Sequence, residues 1–162
     1  MSWTNSDGLY VRFGTEKAEV AAGGSFASNT GSTVLEIDLV FGDFLTAASV
    51  VDYNQTIPSG AFIEKIEIMT TTACVGSTCV VNVGLIRKDL TTELDYNGLI
   101  AALPITSFNA AGETVTVENG HAQVGALVGT ATANAGIVTV DWDTAAMTAG
   151  AVTMRIFYHS TA

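Results

Sequence analysis

The chain has 162 residues, 48% hydrophobic and only 14% charged, with 16 acids against 6 bases and a net charge of −10. That length fits one domain with a sizeable core, and no apolar run approaches the ~20 residues of a membrane helix. So acidic a chain does not neutralise phosphates, which argues against nucleic acid and anionic membranes as partners. A weakly charged, apolar-rich surface points instead to a face covered by a protein neighbour.

Met1 to Gly8 has neither the basic start nor the apolar core of a secretory signal, so synthesis in the cytoplasm without a signal peptide is the expectation. Residues 1–8 read as an N-terminal arm, with Trp3 outside any strand and free either to anchor a partner or to tuck back. Leu9 to Phe13 alternates, with Leu9, Val11 and Phe13 on one face and Tyr10 and Arg12 on the other. Residues 14–33 are loop-like, with Gly23-Gly24 and Asn29 to Ser32 as turn signals.

Val34 to Phe41 is the clearest segment, with Leu35, Ile37, Leu39 and Phe41 opposed to Glu36 and Asp38. Successive strand residues point to opposite faces, so this predicts a half-buried antiparallel strand. Residues 48–57 are weaker and end before the turn Pro58-Ser59-Gly60. Ala61 to Thr72 puts Phe62, Ile66 and Ile68 on one face, broken by Glu64, which predicts a bulge or an edge position. Val80 to Lys88 places Val81, Val83 and Leu85 together, and Gly84 hints at a close backbone approach.

Thr92 to Pro104 reads differently: Asn97 as a cap and Pro104 as a stop predict a short helix in a connection. Strands are then expected at Glu113–Glu118, weakly near Val124–Val128, at Gly136–Asp143 with Val138, Val140 and Trp142 on one face, and at Ala151–Tyr158 with Val152, Met154, Ile156 and Tyr158 aligned. About eight strands joined by some long loops predict an all-β, antiparallel two-sheet sandwich of jelly-roll or Greek-key type, one domain over residues 1–162.

No catalytic constellation is visible. His121 lies in a turn and His159 near the C-terminus, with no Gly-x-Ser-x-Gly, and both read as polar surface histidines. Three carboxylate pairs, Glu36/Asp38, Glu93/Asp95 and Asp141/Asp143, have spacing that suits Ca²⁺ or glycoside hydrolysis, but alternating acids on a solvated strand face look the same. Cys74 and Cys79 are too few for a structural zinc site and read as free thiols or a short disulfide loop between two strands. No catalytic, cofactor or metal residue is therefore assigned.

Three stretches, Ser2 to Gly14, Ile57 to Glu64, and Val83 to Ile86 with Asp95 to Leu99, together with the closing Gly150 to Tyr158, resemble capsid decoration, or cement, proteins of tailed bacteriophages that have a jelly-roll fold. The resemblance implies a non-enzymatic virion protein on the capsid exterior, a homotrimer at or near three-fold positions that clamps neighbouring subunits of the major capsid protein. The arm residues Trp3, Leu9, Tyr10 and Arg12 are the expected contacts, because this apolar segment has no strand partner evident in sequence. Competing readings are a carbohydrate- or receptor-binding sandwich, a hydrolase using the carboxylate pairs, and a minor tail or neck protein.

Overall fold

Alternation at Thr33–Val40 produces the predicted strand: Ile37 and Leu39 are buried while Glu36 and Asp38 face solvent. The computed structural model describes Ser2–Thr4, Tyr10–Arg12 and residues 32–160. The chain divides into two units, residues 1–31 and 32–162. In the first, β1 (Ser2–Thr4) pairs antiparallel with β2 (Tyr10–Arg12), setting Trp3 opposite Val11. The expectation that Trp3 lies outside any strand and that the arm lacks a strand partner is therefore corrected: the alternating stretch from Leu9 supplies that partner.

The second unit contains β3 (Thr33–Val40), β4 (Ser49–Val50), β5 (Thr56–Ile57), β6 (Ala61–Val75), β7 (Val80–Ile86), β8 (Glu93–Pro104), β9 (Thr114–Glu118), β10 (Gly136–Asp143) and β11 (Ala149–Ser160). They form two antiparallel sheets, one ordered β3-β11-β6-β9 and the other β4-β10-β7-β8, with β5 also on β10. β4 and β5 pair with successive stretches of β10 and so act as one interrupted strand. Counted that way, first pairs with last, second with seventh, third with sixth and fourth with fifth. This is the antiparallel wrap of a jelly roll.

The core lies between the sheets. One sheet contributes Ile37, Leu39, Ile66, Ile68, Val117, Val152, Met154 and Ile156; the other contributes Val81, Val83, Leu85, Val138 and Val140. Fully burying one such side chain stabilises by about 1.5–3 kcal/mol, so this shared apolar layer is what holds the two sheets together. Trp142 and Tyr158 pack against its margin, on the faces that alternation assigns them.

Three local expectations change. The helix expected in Asn97–Pro104 is part of β8. Leu99, Ile100 and Leu103 are fully buried there, and the backbone on the side away from β7 is satisfied by the 123–127 segment, through Ala101 N–H to Gln123 O and Gly125 N–H to Leu99 O. Sheet pairing on both sides overrides a weak helical preference that Gly98 already compromises. Helical turns among the described residues are two 3-10 turns, Phe41–Asp43 and Ile105–Ser107, the second just past Pro104. The weak strand expected at Val124–Val128 is instead turns anchored by a single bridge from Val124 to Ile100.

In β6 the inward residue near the start is Ile63, not Phe62. The predicted bulge is present: Phe157 pairs with Lys65 but Tyr158 with Ile63, leaving Glu64 as the extra residue that reverses the facing. Gly84 also behaves as predicted, because a Cβ there would run into the backbone of Asp95 and Tyr96, where β8 bulges across β7.

Candidate interaction surface

Parity fixes what the outward face of the first sheet displays. Across β3, β11, β6 and β9 run the rows Val34–Phe157–Lys65–Glu118, Glu36–Arg155–Glu67–Thr116 and Asp38–Thr153–Met69–Thr114. Arg155 Nε donates to Glu36 Oε2 at 2.7 Å, and Thr153 Oγ1 donates to Asp38 Oδ1 at 2.7 Å. Lys65 Nζ binds Glu67 Oε1 at 2.6 Å and sits 4.5 Å from the Phe157 ring centre. The hydrogen bond that Lys65 donates to Glu67 raises Lys65 above its usual value, and the one that Arg155 donates to Glu36 raises Arg155. The pair Glu36/Asp38 is thus a cross-strand charge ladder, the solvated-face alternative of the sequence reading.

Asp141/Asp143 differs. Asn82, buried on β7, donates to Asp141 Oδ1 at 2.8 Å and to Asp143 Oδ2 at 3.3 Å, while its own Oδ1 accepts the Ala102 N–H at 2.8 Å. Asp141 is 6% exposed; burial pushes its carboxyl up, the Asn82 bond opposes this, and the charges of Asp143 and Glu93 add to it. Thr139, beside them on β10, has a buried hydroxyl with no hydrogen-bond partner. Alternation predicted this face to be solvated, yet Thr139 and Asp141 are buried, because β8 bulges over Gly84, the partner of Thr139. Glu93 and Asp95 cap local backbone, accepting from Tyr96 N–H and Asn97 N–H. No group of three or more His, Cys, Asp or Glu among the described residues is arranged to hold a metal ion.

Cys74 and Cys79 are free thiols, both buried, and burial raises both above the ordinary thiol range. His121 Nδ1 accepts the Gln123 N–H within its turn, and His159 lies against Phe62 with Nδ1 3.4 Å from Glu64. Glu64 also accepts a hydrogen bond from Ser32. Among the described residues, neither histidine addresses a nucleophile. A cleft lined by Leu85, Leu94, Leu127, Thr132, Ala133 and Asn134 encloses about 160 Å³, well below the ~300 Å³ at which small-molecule sites begin.

The second unit also exposes apolar surface. Val34, Val40, Phe41 and Leu45 are 45–53% exposed along β3 and the turn after it. Alternation had Phe41 facing inward; the signal for the opposite is Gly42-Asp43, which ends the strand at Val40 when Asp43 Oδ2 accepts the Val40 N–H. Other exposed aromatics, Tyr53 and Tyr96, come from the β4–β5 loop and β8. Arg87 and Lys88 open the β7–β8 turn, which Asp89 ties by accepting from the amides of Thr91 and Thr92; these hold its carboxyl down at about 2. Of the sequence-predicted contacts, Trp3, Tyr10 and Arg12 lie on β1 and β2, and Leu9 falls outside the described residues.

No family model matches the chain, and no curated protein matches its sequence. Its fold, however, is similar to chains in solved phage capsids. In the capsid asymmetric unit of cyanophage Pam1 the likeness has a TM-score of 0.53 at 18% identity and covers 97% of both chains. In the capsid of Ralstonia phage GP4 it is 0.54 at 16% identity, over 83% of this chain and 87% of that one. In the acidic stable capsid structure of Helicobacter pylori bacteriophage KHP30 it is 0.51 at 16% identity, over 80% and 88%. The structural neighbours of this jelly roll are thus chains of phage capsids.

Proposed function

We propose that this chain is a structural protein of a phage virion that binds the outer surface of the head and stabilises contacts between major capsid subunits. The observation that carries the reading is the likeness of fold to a chain of the Pam1 capsid, which extends over 97% of both lengths. The molecule's chemistry agrees with it. The carboxylate pairs are engaged in a cross-strand ladder, in backbone caps and with the Asn82 amide, and among the described residues the histidines face no nucleophile. Net charge −10 suits the outside of a shell whose interior faces DNA.

The mechanism is linkage. A protein that binds the assembled lattice but not free subunits stabilises the lattice by mass action. Assembled as a homotrimer near a three-fold axis, it spreads contacts over several capsid subunits, and each further contact becomes intramolecular once the first is made. Trp3, Leu9, Tyr10 and Arg12 contribute to those contacts in this reading. Cryo-electron microscopy of purified particles tests it. Ordered copies on the head exterior, in proportion to the lattice sites, are expected; a handful of copies at the tail or neck, or none on the particle, overturns it.

A further inference from the structure

Of the strand edges in the second unit, most are short or covered. β4 and β5 have two residues each, and β8 is bridged by Gln123, Gly125 and Leu127. β9 has five residues, whereas β3 presents eight with no ladder on its outer side among the described residues. Backbone groups alternate along an antiparallel strand between partner side and free side. The Val40 N–H turns to Asp43 on the free side, so by two-residue alternation Val34, Glu36 and Asp38 aim their N–H and C=O outward as well. Asp43 closes this edge at one end and leaves three residues of open register.

Such an edge is a template for another strand, and proteins usually blunt it. Here the side chains beside the open register say which strand fits. Five carboxylates, Glu36, Asp38, Glu64, Glu67 and Glu118, face two cations, Lys65 and Arg155, on this side of the sheet, with His159 beside Glu64. Glu36 accepts a hydrogen bond from Arg155, whereas Asp38 accepts one from the Thr153 hydroxyl and feels the Arg155 charge without bonding it. A second copy added antiparallel about Ile37 would set Glu36 opposite the copy's Asp38 twice over, and like charges directly opposed destabilise a pair. A strand with Lys or Arg at the two positions opposite Glu36 and Asp38, and apolar residues toward Val34 and Val40, meets the same edge with complementary charge and buries exposed apolar surface.

We infer that the free edge of β3 receives a strand of a partner protein by β-augmentation, with basic residues at alternate positions facing Glu36 and Asp38. This rests on the proposed function in one respect: the partner is the phage shell.

Hydrogen exchange measured by mass spectrometry on the free protein and on purified particles tests it. Peptides covering residues 33–40 are expected to exchange at the edge positions in the free protein and to be protected on the particle. Replacing Glu36 and Asp38 together by Lys, or Asp38→Pro, which removes one outward N–H where an edge strand tolerates proline, is expected to weaken particle binding roughly tenfold or more. Glu118→Lys, at the other edge, is expected to bind as wild type. A bound protein whose residues 33–40 exchange as in the free state overturns the inference and leaves the virion reading standing. Absence of the protein from particles overturns both. Protection of this segment in the free protein overturns it too, in favour of a second copy when it grows with concentration, or of the chain's own first 31 residues when it does not. Circular dichroism of each variant confirms that the sheet is intact.

Discussion

The side-chain amide of Asn82 donates to the carboxylate of Asp141 at 2.8 Å, on a strand face that β8 has closed off from water. Because burial raises the Asp141 carboxyl above its unfolded value, the folded state takes up a proton more readily than the unfolded chain. Stability contributed by this group is therefore greatest below the unfolded carboxylate range and falls as pH rises through the raised folded value. Asp141→Asn keeps an acceptor for Asn82 and removes the charge. It should raise Tm at pH 7, with the gain shrinking on acidification; a variant less stable than wild type at pH 7 would contradict this.

Gly84 supports a close crossing. A methyl group there meets the backbone of Asp95 and Tyr96, which lack the freedom of a side-chain end to move aside. Gly84→Ala should cost about 3 kcal/mol in urea denaturation, whereas Gly42→Ala, with nothing within 4 Å, should cost little by crowding.

Arg155 and Glu36 are paired but half-exposed, 38% and 54% at their side chains. A double-mutant cycle with Arg155→Ala and Glu36→Ala should give only the weak coupling of a solvent-exposed ion pair, reduced further by salt.

Cys74 and Cys79 should react with Ellman's reagent slowly in the folded protein and promptly in urea, because the thiols are buried and raised by burial. Rapid labelling of the native protein would show that the end of β6 opens readily.

Trp3→Ala should weaken particle binding while leaving the second unit's melting unchanged. Deleting residues 1–8 should do the same, and it also removes β1, the partner of β2. Unchanged binding in both variants would dismiss the N-terminal contacts.

The sheets were legible wherever one face meets the core and the other meets water. Val34 to Phe41 and Ala151 to Tyr158 show this: their alternation gave the strands, the facing of Ile37, Leu39, Met154 and Ile156, and a sandwich. It failed where a strand is covered on both faces or departs from regular pleating. In β8, Asn97 and Pro104 read as the cap and stop of a helix around the consecutive buried Leu99 and Ile100, since the loop that pairs with them lies more than twenty residues further on. In β6, the extra residue Glu64 was visible but the switch from Phe62 to Ile63 was not, because it depends on register with β11. The β3 edge stayed hidden for a related reason: sequence shows that a strand exists, not which side of it goes unpaired.

The pairing of β3 with β11 sets Thr33 beside Tyr158, neighbours in space separated by nearly the whole unit. A nascent chain emerging from the ribosome therefore cannot complete this sheet until its final strand has been delivered, and contact order this high makes closure slow. Until then β3 and β6 both wait for the strand that lies between them, and the acids along β3 are of the kind that discourages unpaired strands from self-association.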